Sequence, residues 1–308
     1  AVGVELIRHN RSQTFSAQAE IILTAGAIGS PHILQLSGIG SGKLCQSHGI
    51  VTVCDQPNVG KHLQDHLGIN YFHLANRPTL NNVLGSWPHL IIAGVNYIMR
   101  RKGPLSLGVN QLGGLVRATP DAPRLDTQLY INPITYSVTD GDTRRLTKPD
   151  RAPGFALSFN SCRPYSAGSV YIKSADAATP PAIHGNYLDD QRDIDDVLRM
   201  ARFIGRMQNS PSVQKLLAAP PETNLLALSD NEIIDDFRTR SGTVFHPCGT
   251  CRMGPDRRHS VVDPQLRVHG VGKLRVADAA IFPNITSANT NAPTIAVAHK
   301  AASLILQS

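Results

Sequence analysis

The spacing of apolar and polar residues predicts α/β structure at the N-terminal end of the chain. Residues 1–6 and 19–24 are rich in apolar and β-branched positions and flank a polar turn at residues 9–12. This pattern predicts a hairpin whose second arm is a buried strand. The second arm leads into a glycine-rich turn at residues 25–29.

A short helix is predicted directly after this turn. Ser30 suits the N-cap and Pro31 the first helical position, and the helix is expected to stop at Gly38. A second helix is predicted from Lys43 to His48. A strand that enters a glycine turn and then a helix is typical of nucleotide-binding α/β folds.

The pattern changes between about residues 68 and 241. Strand-like pieces at 127–131, 155–159 and 169–172 alternate with proline-rich turns, and one helix is predicted over residues 190–208. The apolar positions of that helix follow three- and four-residue spacing and predict a core-facing stripe of Ile194, Val197, Leu198, Ala201, Ile204 and Met207. We interpret this middle segment as a separate α+β layer that covers a ligand.

The C-terminal end returns to α/β character. A strand at residues 274–277 precedes an apolar helix over residues 292–306. The helix is expected to carry Ile295, Ala298, Ala302 and Ile305 on one side. The predicted domains are therefore 1–67 and 242–308, which rejoin in one domain, and 68–241, which is inserted between them.

Composition and charge exclude several classes of protein. With 41% hydrophobic residues, 308 residues are enough for about two domains with real cores. The net charge is +7, but the densest basic runs, at 100–102 and 257–259, are short and typical of solvated faces. No basic stripe interleaves with the few aromatic residues, so no nucleic-acid partner is expected. The best apolar run, Leu90–Met99, is shorter than the ~18 residues of a membrane span, so no transmembrane segment is expected.

The cysteines indicate the compartment. They are odd in number, widely spread and not preceded by a secretory signal: Cys45, Cys54, Cys162, Cys248 and Cys251. We therefore expect reduced thiols and a cytoplasmic protein, with peripheral attachment to a membrane left open. Because the chain begins inside a strand-like segment, we expect it to be a piece of a longer protein.

Two loop-like segments near the C-terminus carry the strongest candidate chemistry. His246 lies in the run 245–254, where Pro247 restricts the backbone conformation of the imidazole-bearing residue. Asn289 lies in the run 287–294, at the start of the closing helix. A neutral imidazole, with an ordinary pKa of ~6.5, is a natural proton acceptor at neutral pH. A lone His-Pro pair is more often structural, so the wider context decides between the two interpretations.

That context is a resemblance to a known family. Residues 26–40 resemble in full the second signature of the glucose-methanol-choline (GMC) flavin oxidoreductases, and the runs 58–66, 245–254 and 274–306 are similar to the same family. Residues 163–170 resemble the start of its C-terminal region. The resemblance implies an α/β plus α+β fold: a partial FAD-binding Rossmann-like domain, with its first strands missing, and an inserted antiparallel-sheet substrate domain.

The resemblance also implies a reaction. Family members use FAD to oxidise the CH–OH group of an alcohol to an aldehyde or ketone, and they pass the electrons to oxygen or a quinone-type acceptor. His246 matches the family's general base, and Asn289 matches its second catalytic residue, which is His or Asn. The amide is typical of the branch that resembles choline and alcohol dehydrogenases.

Further residues match positions that hold the flavin in the family. The N-terminus of the closing helix is expected to favour the negative charge of a reduced flavin. The implied cofactor-binding residues are Ala25, Gly26, Asp278, Ala279, Asn291, Pro293 and Thr294. Asn291 is an alternative cap for the closing helix.

Three alternatives remain open at this point. The GxGxxG turn that grips the ADP part of the cofactor does not occur in these residues, so the chain is alternatively a non-catalytic fragment that cannot hold FAD alone. A lyase of the same fold, similar to hydroxynitrile lyase, would use the same base without net oxidation. The C-x-x-C pair of Cys248 and Cys251 alternatively binds metal, although we expect no metal site because no second pair exists. We interpret His32, His62, His66 and His299 as structural or surface residues, and Asp65 and His66 as residues that pack near the cofactor without being catalytic.

Overall fold

The structure is a computed structural model that describes residues 1–9, 11–108, 110–137 and 148–307. The strands are β1 Gly3–Arg8, β2 Arg11–Ser16, β3 Ile21–Leu23, β4 Ile39–Gly40, β5 Cys54–Asp55, β6 Lys61–Leu63, β7 Leu67–Leu74, β8 Leu112–Val116, β9 Thr127–Asn132, β10 Tyr136–Ser137, β11 Lys148–Pro149, β12 Gly154–Ser161, β13 Gly168–Tyr171, β14 Ala182–His184, β15 Gly242–Thr243 and β16 Leu274–Val276. The helices are α1 Gly26–Leu36, α2 Gly42–Ser47, α3 Leu80–Leu84, α4 Trp87–Arg100, α5 Gln191–Gln208, α6 Pro211–Gln214, α7 Asp230–Arg240 and α8 Asn291–Leu306. Two 3₁₀ turns span Pro104–Ser106 and Ala279–Ile281.

The chain divides into two compact units. The first unit contains Ala1–His66, Arg163–Gln191 and Val244–Ser308, and the second contains Leu67–Cys162 and Arg192–Thr243. The sequence predicts that Arg163–Gln191 belongs to the middle domain. In the structure, this segment packs with the two ends of the chain instead. The functional domains 1–67, 68–241 and 242–308 stay a prediction.

The N-terminal hairpin differs from its prediction. β1 pairs with β2, with Gly3 opposite Ser16, because the chain reverses at once after the polar turn. The predicted second arm, residues 19–24, is instead the site of β3, which pairs in parallel with β16. β3 is only partly buried. Asn10, in the predicted turn, lies outside the described residues.

The first helix begins earlier than predicted. Gly26 has a φ of +79°, so the chain turns from β3 directly into α1, and Pro31 becomes an interior residue of the helix. Proline has no N–H to donate to the carbonyl of Ala27, four residues earlier. The buried hydroxyl of Thr250 donates to that carbonyl instead, at 2.6 Å. Thr250, from the run that contains His246, therefore supplies the hydrogen bond that Pro31 cannot donate.

The closing helix α8 packs through a side other than the one that carries Ile295. Ile295 is 62% exposed and Ala298 and Ala302 are exposed, whereas Val297, Ala301 and Leu304 pack against the core of the first unit. The packed residues Val297, Ala301 and Leu304 follow the same three- and four-residue spacing as the residues on the exposed side.

The second unit is built on an antiparallel sheet of order β15-β7-β12-β9-β8. The predicted strands at 127–131 and 155–159 are confirmed as β9 and β12. β13 confirms the third predicted strand, but it belongs to the first unit, between β14 and β6. The long helix α5 buries its predicted central positions Val197, Ala201 and Ile204.

The prediction of a single helix in the middle segment was wrong. α7 begins at a capping box in which Ser229 and Glu232 bond to each other's backbone N–H groups, a signal that is legible in the sequence. α4 occupies the apolar run that includes Leu90–Met99. Among the helices in the described ranges, none combines the length and apolar composition that a membrane span requires.

Candidate active site

The imidazole of His246 is held inside the first unit by contacts to both its backbone and its ring. Its side chain is buried, with the residue only 6% exposed, and its backbone N–H donates to Asp65 Oδ1 at 2.9 Å. The other oxygen of Asp65 accepts from the Tyr187 hydroxyl at 2.7 Å. Phe245, directly before His246, has a φ of +63°, a left-handed conformation that is unusual for a bulky residue. The backbone thus turns sharply where it presents the imidazole.

Gln64 ties the His246 run to the segment that leads to Asn289. Its backbone pairs with that of Cys248 in both directions, at 2.9 and 3.0 Å. Its side-chain oxygen accepts from the N–H of Ile285 at 3.0 Å, and its side-chain amide donates to the Pro164 carbonyl at 2.9 Å. A single partly buried residue directly after β6 therefore contacts both candidate catalytic segments.

His66 lies against His246, a contact that the sequence interpretation missed. The two Nδ1 atoms are 2.9 Å apart, and the rings meet edge to face with centroids 5.2 Å apart. His66 is completely buried. Reading His66 as a structural or surface residue overlooked this pairing because 180 residues separate the two histidines along the chain. The backbone pairing of Gln64 with Cys248 and the bond from the His246 N–H to Asp65 bring the two histidines together.

Asn289 approaches the opposite nitrogen of the same imidazole. Its Nδ2 atom lies 2.9 Å from His246 Nε2. Asn289 is an exposed residue, so this side of the imidazole is the more open one. The structure therefore brings together the two residues that the sequence identified as catalytic, with His246 between His66 and Asn289.

The surroundings of His246 keep it neutral at neutral pH. Burial lowers the pKa of the His246 imidazole below its ordinary value of 6.5, and the Asp65 carboxylate opposes this effect by raising it. Burial is the larger influence because removal from water disfavours the charged form. A neutral imidazole with one lone pair is able to accept a proton.

The hydrogen bonds predict which nitrogen carries that lone pair. Because the Asn289 amide donates to Nε2, the neutral His246 ring is expected to carry its proton on Nδ1, which then donates to His66. Nitrogen-15 NMR, with signals assigned by comparison with a His246→Gln protein, measures this directly. A protonated Nε2 in the resting protein would contradict the arrangement.

A second cluster surrounds the glycine turn between β3 and α1. Asp278 Oδ2 accepts from the N–H of Gly26 at 2.9 Å and from the Ser30 hydroxyl at 2.5 Å, while Oδ1 accepts from the N–H of Ala280 at 2.7 Å. Ser30 also accepts from the N–H of Ala25. The buried Asp278 carboxylate is thus used to shape the turn.

The predicted cofactor-binding residues fall into two groups. Ala25, Gly26, Asp278 and Ala279 meet at this turn, and Ala279 further accepts from the N–H of Gly249 in the His246 run. Asn291, Pro293 and Thr294 lie at the start of α8, just after Asn289. Thr290, not Asn291, is the N-cap, and its side chain makes no capping bond. The first N–H groups of a 16-residue helix are therefore left without a side-chain cap.

Both cysteines of the C-x-x-C pair are completely buried. Burial, followed by the nearby Asp65 carboxylate, raises the pKa of Cys248 to about 12. Burial and Asp278 raise the pKa of Cys251 well above its ordinary value. The reactive thiolate form is therefore disfavoured at both positions. In the described part of the chain, no three His, Cys, Asp or Glu side chains group as metal ligands.

Comparison with known proteins matches both ends of the chain to one family. A GMC oxidoreductase N-terminal model matches residues 1–68, and a GMC oxidoreductase C-terminal model matches residues 164–298. The chain is 38% identical to an alcohol dehydrogenase [acceptor] of Pseudomonas putida, covering 100% of this chain and 55% of the relative. It is 33% identical to the mitochondrial choline dehydrogenase of Homo sapiens, covering 99% of this chain and 50% of the relative. The chain thus spans about half the length of these relatives.

Solved structures agree with this result. A crystal structure of formate oxidase superposes with a TM-score of 0.89 at 27% identity, covering 99% of this chain and 57% of that one. Pyridoxine 4-oxidase from Mesorbium loti superposes with a TM-score of 0.80 at 26% identity, covering 100% of this chain and 55% of that one. The mixed α/β fold with antiparallel sheets is therefore confirmed, and the chain belongs to the GMC oxidoreductase family.

Proposed function

We propose that this chain carries the catalytic residues of an FAD-dependent enzyme that oxidises an alcohol to an aldehyde or ketone. The observation that carries the proposal is the buried, neutral His246, bonded on one side to His66 and on the other to Asn289. Relatives named as alcohol and choline dehydrogenases support this reaction. They favour neither the lyase nor the non-catalytic fragment.

The residues of the first unit suit FAD. A Cβ atom at Gly26 would have open space around it, so the turn beside β3 has room for a ligand. The Nε2 atom of His62 is buried and lacks a hydrogen-bond partner among the described residues. Burial, then the charges of Arg252, Lys61 and His259, lower the pKa of His62 to about 4, so it is neutral and able to bond a ligand. The N-terminus of α8 has no side-chain cap, so its N–H groups and partial positive charge suit the negative charge of a reduced flavin ring.

The chain's own residues account for the proton transfer. FAD, when bound, supplies the acceptor for the hydride that leaves the alcohol's α-carbon. His246 Nε2 accepts the hydroxyl proton, and the Asn289 amide donates to the alcohol oxygen, which gains negative charge as the proton leaves. The resulting imidazolium is stabilised by the Asp65 carboxylate and by the His66 ring at Nδ1.

Several finer assignments belong to the same proposal. The substrate is an alcohol of the kind used by the dehydrogenase branch, and the electron acceptor is oxygen or a quinone-type compound. Residues 68–241 form the substrate-binding domain, and residues 1–67 and 242–308 form the flavin-binding domain. The protein is cytoplasmic.

The test is anaerobic reduction of the bound flavin. Protein loaded with FAD is mixed without oxygen with a panel of primary and secondary alcohols, and absorbance at about 450 nm is followed. Bleaching by at least one alcohol is expected. Stable yellow protein with every alcohol would favour the lyase, and failure to retain FAD would favour the non-catalytic fragment.

The pH dependence of flavin reduction follows from the pKa of His246. Because only the neutral ring accepts a proton, the rate constant is expected to rise with pH through a pKa below 6.5 and to stay level at neutral pH. Asp65→Asn keeps an oxygen for the His246 N–H but removes the charge, so the inflection should move to lower pH. An inflection above 6.5, or one that Asp65→Asn does not move, would refute this account of the base.

A further inference from the structure

The helix α4 exposes apolar side chains along most of its length. Exposed fractions are 79% for Trp87, 61% for Ile91, 65% for Ile92, 56% for Val95, 71% for Ile98 and 77% for Met99. Ala93 is its one buried residue. Most helices on a protein surface do the reverse, with their apolar side against the core and their polar side in water.

The exposed residues share one side of the helix. At about 100° per residue, Trp87, Pro88, Ile91, Ile92, Val95, Ile98 and Met99 lie within an arc of roughly 140°. Leu90, Ala93 and Tyr97 lie on the opposite side and are more buried. The exposed side therefore forms one continuous surface, which we call the α4 apolar face and define by those seven residues.

The stretch of sequence that contains α4 carries charge of one sign. No Asp or Glu occurs between Asp65 and Asp121, whereas the same stretch contains five basic residues: Arg77, Arg100, Arg101, Lys102 and Arg117. Three of the five follow one another where α4 ends, and all three are exposed. Asn96 donates to the Lys102 carbonyl at 3.0 Å, and the Arg101 guanidinium lies 5.2 Å from the centre of the Tyr97 ring. These three residues, the basic cluster, thus lie at the C-terminal end of α4, directly after Ile98 and Met99 of the apolar face, with Arg101 held against Tyr97.

We propose that the α4 apolar face binds the surface of a lipid bilayer that contains anionic lipids. A helix that lies in the membrane interface inserts its apolar side among the acyl chains and places basic residues at the headgroups. Anionic lipids attract each Lys or Arg near the surface, and acidic residues would oppose this attraction. The proposal does not depend on the proposed enzymatic function.

Charge favours an anionic bilayer over another protein surface as the partner of the α4 apolar face. A second copy packed in parallel on α4 would bring its own Arg100, Arg101 and Lys102 against these residues, where like charges repel. An antiparallel copy would offer them no acidic side chain from its own α4, which contains no Asp or Glu. An anionic bilayer complements the apolar face and the basic cluster at the same time. The N-terminal end of the apolar face is Trp87, and tryptophan is enriched at the membrane interface.

Trp87 makes the test direct because it is the only tryptophan in the chain. Its emission is expected to shift to shorter wavelength when vesicles of phosphatidylcholine with about 30% phosphatidylglycerol are added, and brominated lipids should quench it. Vesicles of phosphatidylcholine alone should produce a weaker response. An unchanged emission with both kinds of vesicle would overturn the proposal, and so would protein that sediments with vesicles while Trp87 stays in water.

Matched variants separate the contribution of the basic residues from the contribution of the apolar residues to vesicle binding. Arg100→Gln, Arg101→Gln and Lys102→Gln together should weaken binding to anionic vesicles about tenfold or more, and Ile92→Gln with Met99→Gln should weaken binding to both vesicle types. All these side chains are exposed, so folding should be unaffected, as circular dichroism would verify. Val51→Gln, at a residue that is 82% exposed elsewhere, should bind as the parent does. Emission that is already blue-shifted without lipid, in protein that elutes as an oligomer, would show that a second copy covers the face and would overturn the proposal.

Discussion

Replacing His246 with alanine is expected to slow reduction of the bound flavin by an alcohol about 100-fold or more, which is the usual effect of removing a general base. The imidazole is the group positioned between Asn289 and His66, and its lowered pKa keeps it neutral where the enzyme would work. Alanine leaves no group at Nε2 to take the hydroxyl proton. Stopped-flow measurement of anaerobic flavin bleaching gives the rate constant directly.

Asn289→Ala is the matched variant for this experiment. It removes the donor on the same side of the imidazole but leaves the base in place, so it should slow flavin reduction less than His246→Ala. Both proteins should retain FAD to the same extent. If His246→Ala reduced its flavin as fast as the parent, the assignment of the base would be wrong.

Replacing Asp278 with alanine is expected to lower the free energy of unfolding by about 3 kcal/mol. The change leaves three donors without their acceptor in a buried place: the N–H groups of Gly26 and Ala280 and the hydroxyl of Ser30. Because the Gly26 turn is also part of the proposed flavin site, affinity for FAD should fall together with stability. Urea unfolding and a flavin titration measure the two effects.

Two further variants make the Asp278 result interpretable. Asp278→Asn keeps one carbonyl oxygen but turns an amide toward some of the donors, so its effect should be intermediate. Asp176 also accepts a turn N–H, from Ala178 at 2.9 Å, but it is exposed, so Asp176→Ala should cost less than about 1 kcal/mol. Equal losses for Asp176→Ala and Asp278→Ala would show that burial of the Asp278 carboxylate is not the cause.

Local sequence signals predicted the helices and strands more accurately than they predicted which other elements these contact. The strand-like composition of β9 and β12 and the spacing within α5 are local features of the sequence, and all three elements were correctly predicted. The hairpin partner of β1 depends on what that strand meets in the folded chain. Residues 11–16 and 19–24 both compete to pair with β1, and the prediction of the second of them was wrong.

The prediction of where α1 begins was wrong for a more specific reason. Pro31 normally marks the first turn of a helix, but here the Thr250 hydroxyl serves the Ala27 carbonyl that the proline leaves free. That compensation comes from 223 residues away, beyond any local pattern. The same reasoning applies to His66: the family motif identified His246 and Asn289, but only the fold shows that His66 bonds the other side of the base.

The most direct test of the central claim is the effect of deuterium at the alcohol's α-carbon on anaerobic flavin reduction. If the reaction moves a hydride from that carbon while His246 takes the hydroxyl proton, FAD-loaded protein should bleach several-fold more slowly with the α-deuterated alcohol than with the ordinary one. Flavin that is not bleached by any alcohol would contradict the claim that this site oxidises alcohols by hydride transfer.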